Sequence, residues 1–125
     1  MTAIAGLDLP DRYLEMVRAI LRQHVPDHEV WAYGSRVTGG AFEASDLDLV
    51  VRHPANPRQG CARLFDLRDA FVESNLPIRV DVMDWARIPE SFHREIQRGY
   101  VVVQRAQSEP ALKMPACKDE SSQAN

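Results

Sequence analysis

At 125 residues, with 45% hydrophobic and 26% charged side chains, the chain can build one core without disulfide or metal staples. A formal net charge of −3 gives no global attraction to nucleic acid or an anionic membrane, so no direct nucleic-acid binding is expected and phosphate must be met locally. No apolar run reaches membrane-spanning length and residues 1–8 lack a leader pattern. With only two cysteines, the setting expected is the cytoplasm. Residues 1–8 read as a loose lead-in. Asp8, Pro10 and Asp11 then signal a helix start, because proline suits a first turn and acids suit the N-terminal dipole. Tyr13, Leu14, Val17, Ile20 and Leu21 recur at helical spacing to about Gln23, as a core-facing stripe.

After the Pro26-Asp27 turn, Glu29 to Tyr33 reads as a strand that runs into Gly34-Ser35. Ser35 to Thr38 reads as a short helical turn, and Gly39-Gly40 permits a tight path to the next strand. That strand is the apolar run around Asp46 and Asp48, closed by the Pro- and Gly-rich loop 53–60. Cys61 to Asn75 predicts a second long helix, with Leu64, Leu67, Phe71 and Val72 buried, Cys61 and Phe65 flanking, and a solvated charged face that includes Arg68. Leu76-Pro77 ends it and launches a strand from Ile78 to Asp84. Pro89 to Arg98 reads as a short third helix stopped by Gly99, with His93 on its surface, and Tyr100 to Val103 as a last strand. Periodicity ends at Gln107, which predicts one domain over 1–106 and a disordered tail over 107–125.

The chemistry concentrates in GSRVTGGAFEASDLD. Asp46 and Asp48 stand two apart on a strand, so their side chains share one face. Like charges side by side in an apolar run call for a cation, and an oxygen-only ligand set suits Mg²⁺, which also accepts phosphate oxygens. Gly34-Ser35 at the preceding strand end offers unencumbered N–H groups and a hydroxyl, a small phosphate cradle, with Arg36 placed to face the phosphates. A third acid comes from Asp81 or Asp84. If Ile78, Val80 and Val82 face the core, Asp81 points to the open side and Asp84 to the other, where it would cap the following turn.

Gly34-Ser35, ten residues, then Asp46-x-Asp48, with a later strand acid, resembles the signature of the DNA polymerase β-type nucleotidyltransferases, and most closely their minimal (MNT) branch. The resemblance spans roughly residues 10 to 105. It implies an α/β (α+β) fold, a small mixed β-sheet flanked by helices. It also implies two Mg²⁺ ions held by Asp46, Asp48 and Asp81, ATP as substrate, and Gly34, Ser35 and Arg36 at its phosphates. No segment is left for an acceptor-binding domain, so the acceptor is expected in trans. In the MNT branch the implied partner is a HEPN-domain toxin in a hetero-oligomer, with AMP transferred to one of its tyrosines and the MNT protein acting as antitoxin. Two alternatives stay open: the same chemistry on a small-molecule or RNA acceptor, and a catalytically idle module that neutralises a partner by binding alone. Arg87 and His93 match the spacing of the HEPN ribonuclease pattern, but Pro89 lies between them and the helix is short, so the match reads as coincidence.

Overall fold

The computed structural model describes residues 4–41 and 44–106; the tail expected over 107–125 lies outside the described residues. Helix α1 (Asp11–His24) begins at the proline signal, with Pro10 in the N-cap position and its carbonyl accepting from the Tyr13 and Leu14 N–H groups. Leu14, Val17 and Leu21 form its buried stripe. The segment before it is not a loose lead-in from Ile4 onward. Ile4, Leu7 and Leu9 pack against the core, and the Asp8 N–H donates to the Arg36 carbonyl at 2.7 Å. Asp8 therefore anchors this segment to Arg36 through its backbone and does not cap α1.

Strands β1 (Glu29–Tyr33), β2 (Leu47–Arg52), β3 (Val80–Asp84) and β4 (Tyr100–Gln104) form one mixed sheet in the order β3-β2-β1-β4. β1 pairs antiparallel with both β2 and β4, while β2 and β3 are parallel. A parallel pair needs a crossover, and the loop after β2 together with helix α3 (Leu64–Val72) provides it. Alternation along the strands divides the side chains between two layers. Val30, Ala32, Leu47, Leu49, Val51 and Val82 face α1 and α3. Trp31 and Val50 face the opposite way, against Trp85 of a 3₁₀ turn (Trp85–Arg87) and Ile96 of helix α4 (Glu90–Gln97). Aromatic edges order this second layer, with Trp31 against Trp85 at 5.2 Å and Tyr33 against Phe92 at 5.7 Å between ring centres.

Helix α3 is shorter than the stretch 61–75. The Cys61 N–H donates to Asp84 Oδ2 at 2.8 Å, which ties this residue to the end of β3 ahead of the helix. Leu64, Leu67 and Phe71 are buried as expected, but Val72 is 83% exposed and Phe65 75%. Leu64, Leu67 and Phe71 set the centre of the stripe, and Val72 lies about 100° around the helix from that centre, past its edge. Arg68 is not merely solvated: its guanidinium donates twice to the Val82 carbonyl, at 2.7 and 3.0 Å, on an edge strand. His93 is likewise more than a surface residue, since its ring stacks on Trp85 at 3.9 Å and its Nε2 lies 2.7 Å from the Trp85 carbonyl.

Candidate active site

Cross-strand partners in a sheet point to the same side, and the register pairs Tyr33 with Asp48 and Asp48 with Asp81. One row across three strands thus carries a phenol and two carboxylates, on the same face as the aromatic layer. Asp46 lies just before β2, two residues from Asp48. Asp84 is on the other face and 3% exposed. Its carboxylate accepts from the Cys61 N–H and, at 3.2 Å, from the Ala86 N–H, and Arg87 lies 3.3 Å away. It caps the 3₁₀ turn and joins α3 to β3.

The row is electrostatically costly. Burial pushes the Asp48 carboxyl above its ordinary value, and the neighbouring charges of Asp81 and Asp46 push it further. Burial, then Asp48 and Asp81, raise the Tyr33 phenol to about 12. Arg79 lies 3.7 Å from Asp81, in an exposed pair that compensates little.

Gly34 follows Tyr33 directly at φ +82° and ψ −157°, a conformation essentially reserved for glycine. A Cβ built there would collide with Asp48 Oδ2, so the missing side chain is what lets this carboxylate lie against the strand end. Helix α2 (Ser35–Thr38) then turns the chain, with Val37 N–H, Thr38 N–H and the Thr38 hydroxyl all donating to the Gly34 carbonyl. Those two amides are therefore committed to the turn, while Ser35 lines a cavity of about 460 Å³. Tyr33, Gly34 and Thr38 line one wall of this cavity, and Phe92, Glu95 and Arg98 line the other. The α4 wall was not foreseen. Its residues lie far along the chain from Gly34-Ser35, and their signal reads only as an apolar pair with charged neighbours.

Arg36 departs from its expected orientation toward the phosphates. It is 3% exposed, and its guanidinium donates to the Ser45 carbonyl from Nε and Nη2 at 3.1 and 2.9 Å and to the Asp8 carbonyl from Nη1 at 2.8 Å. The backbone carbonyls of Ser45 and Asp8 draw the charge inward. Arg36 thereby fixes the segment that leads to Asp46 instead of facing the cavity.

Asp46, Asp48 and Asp81 supply only hard oxygen donors, the chemistry that Mg²⁺ takes, and a cation would relieve the repulsion that lifts Asp48. They do not form a closed cage: among the described residues, no three His, Cys, Asp or Glu side chains gather closely enough to hold a metal ion by themselves. Mg²⁺ commonly keeps waters and substrate phosphates among its ligands, so an open row of carboxylates fits it.

Comparison with known proteins identifies the family. Residues 14–108 match the family described as nucleotidyltransferase domain. A probable protein adenylyltransferase MntA from Haemophilus influenzae is 48% identical over 104 residues, covering 83% of this chain and 90% of the relative. Poly(A) RNA polymerase protein 2 from Saccharomyces cerevisiae is 25% identical over 83 residues, 66% of this chain but only 14% of the yeast protein. Among solved structures, a toxin-antitoxin crystallised with AMP-PNP superposes with a TM-score of 0.59 at 17% identity, covering 77% of this chain and 76% of the other, a likeness of fold. With a four-stranded mixed sheet, a Gly-Ser turn and paired strand carboxylates in place, the chain belongs to the nucleotidyltransferase domain family, as a minimal nucleotidyltransferase.

Proposed function

We propose that this nucleotidyltransferase transfers AMP from ATP, with Mg²⁺, to a tyrosine hydroxyl of a partner HEPN-domain toxin in the cytoplasm, and that it acts as the toxin's antitoxin. The observation that carries the reading is the Asp48–Asp81 pair in register beside a cavity walled by Gly34 and Ser35. Support for a protein acceptor comes from the name of the Haemophilus relative, and support for a toxin partner from the toxin-antitoxin fold neighbour. Among the described residues no helix is long and apolar enough to cross a membrane.

Asp46, Asp48 and Asp81 would hold Mg²⁺, which supplies charge stabilisation to the entering and leaving oxygens of an in-line displacement. The rest falls to the chain. Ser35 donates a hydrogen bond toward the phosphates, and Gly34 leaves room for the Asp48 carboxylate beside them. Asp81 lies at the β3 end of the row and receives the proton of the acceptor hydroxyl as its oxygen bonds to the α-phosphorus and pyrophosphate departs. Asp84 and Arg36 hold the neighbouring turns and take no part in the transfer.

The test is to incubate the protein with labelled ATP, Mg²⁺ and a candidate HEPN protein, then read the partner's mass and the labelled residue. An added AMP on tyrosine, lost in Asp81→Asn while the complex persists, supports the proposal. Full neutralisation of toxicity by Asp81→Asn, with the partner unmodified, would replace it with docking alone.

A further inference from the structure

With Arg36 turned inward, the triphosphate needs another cation. We propose that Arg98, at the C-terminal end of α4, is the positively charged residue that receives the outer phosphates of the nucleotide. The assignment rests on the reading of Gly34-Ser35 as the phosphate-facing wall.

Three observations converge on it. Arg98 lines the same cavity as Gly34 and Ser35, and it is the only arginine or lysine among the described residues that do so. The end of α4 abuts the cradle, since a Cβ at Gly99 would stand 3.6 Å from Thr38 Cγ2, an ordinary contact distance. The guanidinium is also available: its side chain is 78% exposed, and it makes a 3.6 Å ion pair with Glu95, itself 65% exposed. A pair this open to water is worth little, so Arg98 can exchange Glu95 for a phosphate at small cost. A guanidinium also matches phosphate oxygens in a two-pronged geometry.

Glu95 sharpens the idea, because it places a negative charge on the same wall. The two residues should therefore act in opposite directions on nucleotide affinity. Arg98 should weaken binding when neutralised, and Glu95 should strengthen it. A purely structural role for the pair predicts that both changes act alike, by loosening the last turn of α4.

The experiment is equilibrium binding of ATP, ADP and AMP to the full chain and to Arg98→Gln, Arg98→Lys, Glu95→Gln and Ser35→Asp. Arg98→Gln should weaken ATP about tenfold, as expected for one charge-assisted hydrogen-bonding group, and leave AMP unchanged. Arg98→Lys should recover part of the loss, and Glu95→Gln should bind ATP more tightly than wild type. Equal losses for ATP and AMP, or weakening by both Arg98→Gln and Glu95→Gln, would overturn the assignment. If Ser35→Asp weakens ATP while Arg98→Gln does not, the cradle stands and Arg98 alone is wrong. If neither weakens it, the cradle reading itself fails.

Discussion

Replacing Gly34 by alanine separates what the backbone does at this position from what Asp48 does. At φ +82° and ψ −157° any side chain is strained, at a cost of about 1–3 kcal/mol. The new methyl also meets Asp48, whose Oδ2 must swing away while Cγ, 3.2 Å from the added carbon, remains tight. A carboxylate end rotates at modest cost, so backbone strain should dominate the stability loss and the displaced carboxylate should dominate the loss of transfer. Urea unfolding of Gly34→Ala should therefore show a loss of about 2–3 kcal/mol. In an Asp48→Ala background the collision is gone but the strain remains, and the same substitution should cost about 0.5–1 kcal/mol less. Equal costs in the two backgrounds would refute the Gly34–Asp48 contact. A loss below about 0.5 kcal/mol in wild type would refute the strain itself.

Asp48→Asn should abolish transfer yet unfold no more easily than wild type at neutral pH. The folded carboxyl binds its proton more tightly than the unfolded one, so Asp48 favours folding below the ordinary value of 3.8 and loses that contribution as pH rises through its raised folded value. The variant's stability should accordingly vary less with pH across that acid window, as denaturant titrations at several pH values would show. Ultraviolet titration should find Tyr33 ionising near 12 in wild type and lower in Asp48→Asn, because one of the charges opposing it is gone; an unmoved phenol would break the row apart. Asp84→Ala should cost about 2–4 kcal/mol in thermal or denaturant unfolding, having stripped a buried N–H of its acceptor, yet leave ATP affinity near wild type. Arg36→Gln should also cost about 2–4 kcal/mol, by abandoning the Ser45 and Asp8 carbonyls; a variant of unchanged stability would contradict the clamp.

Period-two alternation made the strands and the faces of Asp48, Asp81 and Asp84 readable from the chain, because a residue's parity alone selects its side of the sheet. The Gly-Ser turn was readable for a related reason: few sequences other than a glycine-led one can leave a strand at that angle. Periodicity could not locate the start of α3, since what ties Cys61 down ahead of the helix is the carboxylate of Asp84, twenty-three residues later. Nor could it foresee Arg36. An arginine directly after a Gly-Ser strand end looks ready for phosphate, and only the loop's return brings the Ser45 carbonyl within its reach. The wall formed by Phe92, Glu95 and Arg98 escaped for a similar reason. It meets the Gly-Ser turn because β4 pairs with β1 and so brings the end of α4 beside Thr38.

This division of the sheet has a consequence for how the protein tolerates change. The face toward α1 and α3 is apolar and closed, so it supplies the burial that holds the sheet together. At one end of the other face stand carboxylates that repel one another, and stability would improve if that repulsion were removed. The fold keeps them in place with neighbours that are not themselves reactive: Gly34 by having no side chain, Arg36 by fixing the approach to Asp46, and Asp84 by fixing the exit from β3. Substitutions of these carboxylates should then cost chemistry without stability, and substitutions in their supports should cost stability first. The two classes of residue lie within a few positions of each other in sequence, and Asp81 and Asp84 occupy one strand. Proximity in the chain is a poor guide to role here, and the face on which a side chain emerges is a good one.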